Sequence, residues 1–170
     1  SPDAVVGDLG CGTGQVSAAL APFVKRVIGI DSSAAMLQAA RRRLSDHDNV
    51  ELRRGDLESL PIDDQRLDAA TVMLVLHHVV DPSRALADVA RVLKPGGRLV
   101  LVDMLPHDRE HYRQQMGHVW LGFSEAHVTR LLHDSGFERA RVVPLPADPK
   151  TKGPALFVAV GEKTGTGTRD

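Results

Sequence analysis

The stretch Val5-Val6-Gly7-Asp8-Leu9-Gly10-Cys11-Gly12-Thr13-Gly14 decides the fold. An apolar strand ends in three glycines at alternate positions, and a helical pattern follows with Val16, Ala19, Leu20 and Phe23 at three- and four-residue spacing. Glycine is needed where the backbone takes unusual dihedrals or lets a ligand lie against it without an intervening Cβ. A dinucleotide fingerprint reads G-x-G-x-x-G and seats a pyrophosphate on the helix N-terminus. Here Gln15 occupies the place of its third glycine, and the observed G-x-G-x-G is headed by Asp8. That pattern suits a smaller ligand with a polar amino-acid end. A turn that is glycine-rich only for packing reads the same way, so the loop needs partners.

A second acid lies downstream. The short strand Arg26 to Ile30 runs into Asp31-Ser32-Ser33, and an acid about 20 residues after such a loop can accept from both hydroxyls of a ribose. Asp31 also reads as a helix cap, although Ser33 can cap the run of Met36, Leu37, Ala40 and Leu44 alone. The third strand, Val50 to Arg54, ends in Gly55-Asp56-Leu57, where an acid and an apolar residue fit the amino group and one face of an adenine, or form a plain Gly-Asp turn. The fourth, Leu67 to Met73, continues into Leu74-Val75-Leu76-His77-His78-Val79. A helix then starts at Asp81-Pro82, places Leu86, Val89, Ala90 and Leu93 on one face and stops at Lys94-Pro95-Gly96-Gly97.

The nearly continuous apolar run Leu99 to Asp103 predicts a fifth strand buried on both faces. Asp108 to Val119 reads as a helix with Tyr112, Met116 and Val119 on one side. Ser124 caps another that buries Val128, Leu131 and Leu132 before Gly136. Arg139 to Leu145 and Ala155 to Val160 are joined without a helix and predict an antiparallel pair at the sheet edge. Strands alternating with helices imply an α/β fold with parallel strands and right-handed crossovers. In such a sheet ligands sit at the carboxyl ends of the strands, where every one of these motifs falls.

With 170 residues the chain is one domain by size, expected over 1–162, and the polar run Lys163 to Asp170 is expected to be a flexible tail. Lys and Arg number 21 against 22 Asp and Glu, which leaves no net positive field for nucleic acid or an anionic membrane. Arg41-Arg42-Arg43 at a helix end, beside Asp46 and Asp48, reads as a solvated face. The one cysteine, Cys11, has no disulfide partner, which points to the cytoplasm. No apolar run approaches the ~20 residues of a membrane span. The first strand begins within a few residues of Ser1, from which a longer polypeptide with further N-terminal elements is expected.

Asp8-Leu9-Gly10-Cys11-Gly12-Thr13-Gly14, Gly29-Ile30-Asp31-Ser32, Gly55-Asp56-Leu57, Leu76-His77-His78 and Leu93-Lys94-Pro95-Gly96-Gly97-Arg98-Leu99 resemble, in order, the motifs of class I S-adenosylmethionine-dependent methyltransferases. The resemblance extends to about Val160 and is greatest to the small-molecule branch that includes the ubiquinone and menaquinone methyltransferases. Met116 to Phe123 and Gly136-Phe137 resemble methyltransferase domains fused behind ArsR-type winged-helix repressors. The resemblance implies a Rossmann-like, doubly wound seven-stranded sheet of order 3-2-1-4-5-7-6 with the last strand antiparallel.

It also implies S-adenosylmethionine as cofactor, with the S-adenosylhomocysteine product. The methionine part would lie against Gly10, Cys11, Gly12 and Gly14, its ammonium near Asp8 and a backbone carbonyl of Met73 or Leu74. The ribose would meet Asp31 and Ser32, and the adenine would lie between Met36 and Leu57 beside Gly55, with Asp56 at its amino group. His77 and His78 follow the position that faces substrate, as general base, pocket wall or structural histidines. His107, His111 and His118 have spacings that place them on related faces, but without the matched cysteines or carboxylates of a usual zinc site no metal ligand is assigned. The partner expected is a small-molecule methyl acceptor. One cysteine argues against arsenic as the substrate. A homodimer and a fused or partner winged-helix domain stay open.

Three rival readings remain. A dinucleotide oxidoreductase is disfavoured by Gln15. A nucleic-acid methyltransferase lacks both a basic stripe and the Asn/Asp-Pro-Pro-aromatic motif after strand four. A cofactor-binding sensor attached to a winged helix is decided by what precedes the chain.

Overall fold

A computed structural model of the chain describes residues 1–146 and 153–165. Seven strands form one sheet: β1 (Val5–Leu9), β2 (Arg26–Asp31), β3 (Val50–Arg54), β4 (Leu67–Met73), β5 (Leu93–Met104), β6 (Phe137–Pro144) and β7 (Leu156–Lys163). Their order is β3-β2-β1-β4-β5-β7-β6, as the family resemblance implied. β1 to β5 are mutually parallel, while β7 runs antiparallel to both β5 and β6. The sequential order reverses between β1 and β4, so the crevice for a ligand opens above that pair.

Among the described residues five α-helices connect the strands: α1 (Gln15–Leu20), α2 (Ala34–Arg43), α3 (Pro82–Val92), α4 (His111–Met116) and α5 (Glu125–Asp134). Their starts follow local chemistry. Ser33, Asp81 and Ser124 cap α2, α3 and α5 by accepting from the backbone N–H groups of Met36, Arg84 and His127. α3 buries Leu86, Val89 and Ala90, and α5 buries Val128, Leu131 and Leu132, at the spacings read from the sequence. Phe123, Phe137 and Phe157 are fully buried in the same core as the central strands.

Several boundaries differ from expectation. α1 ends at Leu20 because Pro22, in the following 3₁₀ turn, has no N–H to donate and its ring opposes a continuing helix. Phe23 is therefore 73% exposed, and Ser17 and Ala21 take the buried positions. The helix expected over Asp108 to Val119 shrinks to α4: none of its residues is buried, and Gly117 ends it in the left-handed conformation at φ 69°. β5 is longer than Leu99 to Asp103. It starts at Leu93, and the Pro-Gly-Gly stretch lies at a slip in its register with β4 between Leu67 and Ala69. Lys163, placed in the expected tail, closes β7 opposite Phe137 and donates from Nζ to the Leu93 carbonyl at 2.6 Å. A backbone ladder requires no apolar side chains, so polarity misplaced that end. Residues 166–170 of the expected tail lie outside the described residues.

Candidate functional site

The loop after β1 is tied down by its own backbone and by Asp31. The N–H groups of Gly10 and Cys11 both donate to the Ile30 carbonyl at 2.8 Å, and Gly12 donates to Asp31 Oδ2 at 2.8 Å. Asp31 Oδ1 accepts from the Ser33 N–H at 2.8 Å. Asp31 thus serves loop and helix entrance together, and each of its oxygens keeps a further lone pair directed elsewhere.

Two glycines of the loop do different work. A Cβ at Gly14 (φ 80°) would stand 2.7 Å from Leu44 and 3.2 Å from Ala40, so this glycine lets the loop pack on α2. A Cβ at Gly12 (φ 53°) would meet nothing within 4 Å, because that position faces open space. Gly14 does not line the cavity above the sheet. Twelve of the thirteen residues expected around a cofactor do: Asp8, Gly10, Cys11 and Gly12 from the loop, Asp31, Ser32 and Met36 from the second motif, Gly55, Asp56 and Leu57 from the third, Met73 and Leu74 from the fourth. The cavity measures about 540 Å³.

Asp8 is 1% exposed, and its carboxylate accepts from Ser17 Oγ at 2.6 Å and Thr71 Oγ1 at 3.1 Å. Burial pushes its pKa above the ordinary carboxylate range against those hydrogen bonds. Cys11 is buried too, and burial together with the Asp8 and Asp31 carboxylates pushes its thiol up to about 12. A thiol so high is inert at neutral pH, and Cys11 packs against Gly29.

A second cavity of about 560 Å³ adjoins the first, and Leu74 lines both. Its walls are largely apolar, with Met104, Tyr112, Met116, Leu145 and Leu156 among them. Leu74 is held at φ 55°, a conformation costly for a residue with a side chain, and it is 47% exposed.

The two expected catalytic histidines part company. His77 is buried and lines the second cavity; its Nδ1 lies 2.8 Å from Asp103 Oδ1. His78 is exposed at the edge of the first cavity, with its Nδ1 3.1 Å from the Gly117 carbonyl. The histidine spacing misled: the imidazoles that converge are His77, His78 and His118, each of which offers one ligand-capable nitrogen within 4.8 Å of those of the other two. His107 stands further off, its ring 6.5 Å from that of His118. With only six residues in α4, a helical register cannot align 107, 111 and 118.

The family model for the methyltransferase domain matches residues 7–101, more than half of the chain. The chain belongs to that methyltransferase domain family. It is 42% identical over 153 residues to an uncharacterised 37.1 kDa protein of a Streptomyces fradiae transposon, covering 81% of this chain and 44% of that protein. It is 46% identical over 96 residues to the demethylmenaquinone methyltransferase of Clavibacter sepedonicus, covering 56% of this chain and 39% of that enzyme. This methyltransferase domain therefore spans about two fifths of the length of both relatives. Among solved structures, a SAM-dependent methyltransferase from Methanosarcina mazei superposes with a TM-score of 0.80 at 25% identity, over 97% of this chain and 94% of that one.

Sequence reasoning missed several parts of this methyltransferase domain. Thr13, Gln15, Ile30, Glu58 and Val80 also line the first cavity. Asp103 was read only as the end of an apolar strand, and His118 only as one of a spaced set. An acid closing an otherwise apolar central strand was the available signal for Asp103. None existed for His118, which enters through a loop.

Proposed function

We propose that this domain transfers a methyl group from S-adenosylmethionine to a small-molecule acceptor held in the apolar cavity. The carrying observation is the pair of cavities that meet at Leu74, one built from the glycine loop and strand-end acids, the other apolar and flanked by imidazoles. When bound, the cofactor supplies a methyl group already activated on a positively charged sulfur. The chain fits it. Gly12 leaves room where a side chain would obstruct a close ligand, and Asp8 is a buried carboxylate with no cation against it among the described residues.

Asp31 would accept from the ribose hydroxyls with the lone pairs its backbone bonds leave free. Ser32 flanks it. Asp8 and the Met73–Leu74 backbone would hold the methionine ammonium, while Gly10, Cys11 and Gly12 form the floor. Met36, Gly55, Asp56 and Leu57 would enclose the adenine. Gly14 acts only by placing the loop.

On the acceptor side, Asp103 accepts from the backbone N–H groups of His77 and Met104 and faces His77 Nδ1 at 2.8 Å, which leaves Nε2 as the nitrogen available to the acceptor. A carboxylate behind an imidazole in this way orients a general base. His78 lies where it can hydrogen-bond the acceptor. A cytoplasmic setting belongs to the same proposal; no helix of the described residues is long and apolar enough to cross a membrane. The relatives lend no support to a role as a regulatory sensor.

The test is a calorimetric titration with S-adenosylmethionine and with NAD, followed by a screen of metabolite fractions for acceptance of labelled methyl from the full-length protein. One-site binding of S-adenosylmethionine and label in a small molecule are expected. Preference for NAD, or no binding of S-adenosylmethionine, overturns the proposal.

A further inference from the structure

Methyl transfer alone does not explain why three imidazoles are packed together. The rings of His77 and His78, and of His77 and His118, have centroids 4.2 Å apart, and His78 and His118 are 5.0 Å apart. Protonated, they would repel one another. Two of the tautomers follow from their partners. Asp103 accepts from the backbone N–H groups of His77 at 3.2 Å and Met104 at 2.7 Å as well as facing His77 Nδ1, and Gly117 offers only a carbonyl to His78. Nδ1 is therefore the donor in both, which leaves Nε2 of His77 and His78 as the nitrogen able to ligate. His118 is 7% exposed, and its Nδ1 is buried with no hydrogen-bond partner among the described residues. Three imidazoles with ligand-capable nitrogens within 4.8 Å of one another, one of them carrying an orphaned buried nitrogen, form a set of donors suited to a cation.

We propose that His77, His78 and His118 hold a divalent transition-metal ion, best suited to zinc, with an open coordination position toward the acceptor cavity. Three imidazoles plus one exchangeable position is a ligand set of catalytic zinc, and a carboxylate behind a ligating histidine fixes its orientation and raises its basicity. Zinc–nitrogen bonds of about 2.0–2.1 Å place ligand nitrogens roughly 3.4 Å apart. The present span of up to 4.8 Å closes by side-chain rotation, and exposed His78 has the freedom to provide it.

His77 and His118 line the second cavity and His78 the first, so the ion stands between the two. Its open position takes an oxygen or sulfur donor of the acceptor. This deepens the methyl-transfer reading and rests on it for the identity of that ligand. On coordination the acceptor's O–H or S–H releases its proton to solvent. The oxygen or sulfur lone pair forms the bond to the methyl carbon, and the electron pair of the broken carbon–sulfonium bond stays on sulfur, leaving a neutral thioether. With the ion bound, His77 is a ligand, and lowering the acceptor's pKa passes from the imidazole to the metal.

The metal-stripped protein, without S-adenosylmethionine or acceptor, is titrated with Zn²⁺ and with Co²⁺. One equivalent of each is expected, Co²⁺ with the visible absorption of a low-coordinate nitrogen site. His78→Ala and His118→Ala should each weaken uptake by on the order of 100-fold, and Asp103→Asn by about 10–100-fold. The exposed histidines outside the cluster, tested as His111→Ala and His133→Ala, should leave it unchanged. His78 is exposed, so its replacement keeps the fold, and thermal unfolding verifies this. Absence of stoichiometric uptake by the wild type overturns the site, as does full affinity in folded His78→Ala, or an equal loss in His111→Ala. Because the titration needs no S-adenosylmethionine, metal uptake without cofactor binding overturns methyl transfer and leaves the metal site standing. Cofactor binding without metal uptake does the reverse.

Discussion

The two halves of the site are built in different ways. The half proposed for the cofactor comes from consecutive strand ends, β1 to β4, and its contacts are largely backbone: a glycine loop on the Ile30 carbonyl and on Asp31, a few residues from each motif. The half proposed for the acceptor is gathered from His77, Asp103, Tyr112, His118, Leu145 and Leu156, residues spread over half the chain and held by side chains. A site made of turns tolerates little change in backbone conformation. One made of side chains can change its chemistry by single substitutions while the cofactor half stands.

That contrast breaks most sharply at Gly12. Gly12→Val puts a β-branched residue at φ 53° with its side chain aimed into the cofactor cavity. Calorimetry should find S-adenosylmethionine binding abolished, at a stability cost of about 1–3 kcal/mol for the backbone strain. A folded variant that binds normally removes the loop from the site.

Next in size is the opposite half. In the metal-free protein His77→Gln should lower turnover by roughly 10²–10⁴ with cofactor affinity nearly intact. Without the metal, His78→Gln, at the exposed rim, should do less. If His77→Gln changes cofactor affinity as much as turnover, the two halves are not separable.

Asp31→Ala should weaken S-adenosylmethionine binding by about 1.5–3 kcal/mol, the range for losing hydrogen bonds to a charged acceptor. Because Asp31 also holds Gly12 and Ser33, local loosening should accompany the loss, visible as faster amide exchange at those two positions. Unchanged affinity in a folded variant excludes Asp31.

The smallest expected effect sharpens the acceptor half. His118 binds its proton less tightly when folded than when unfolded, because burial and the neighbouring histidines lower its pKa to about 4. Between that value and the ordinary histidine pKa only the unfolded chain takes the proton, so stability is full above the latter and falls with acid. The metal-free protein should lose about 1–2 kcal/mol from this group between roughly pH 7 and pH 5. His118→Phe should flatten that decline in denaturant titrations. An identical decline in the variant would mean the histidine cluster is not a dry site.

What the sequence determined by itself is whatever depends on neighbours along the chain. Glycines at alternate positions after an apolar strand, Ser33, Asp81 and Ser124 as caps, and helical spacing in α3 and α5 are local chemistry. They were legible as a parallel α/β domain with a ligand at the strand ends, because periodicity and capping act over only a few residues. The antiparallel β6–β7 pair was legible from the missing helix between its strands, whereas strand order came from the family resemblance, since spacing does not encode it.

Tertiary structure alone decided the rest. Gly14 proved to be a packing glycine because Leu44, thirty positions on, occupies the space its Cβ would need. The helix expected over Asp108 to Val119 shortened because no packing partner rewarded its apolar side. His118 joined His77 and His78 because the backbone N–H groups of Val119 and Trp120 both donate to the His77 carbonyl, which brings that loop over the end of β4. A hydrogen bond between positions some forty residues apart leaves no periodic trace in the chain, and the histidine cluster rests on it.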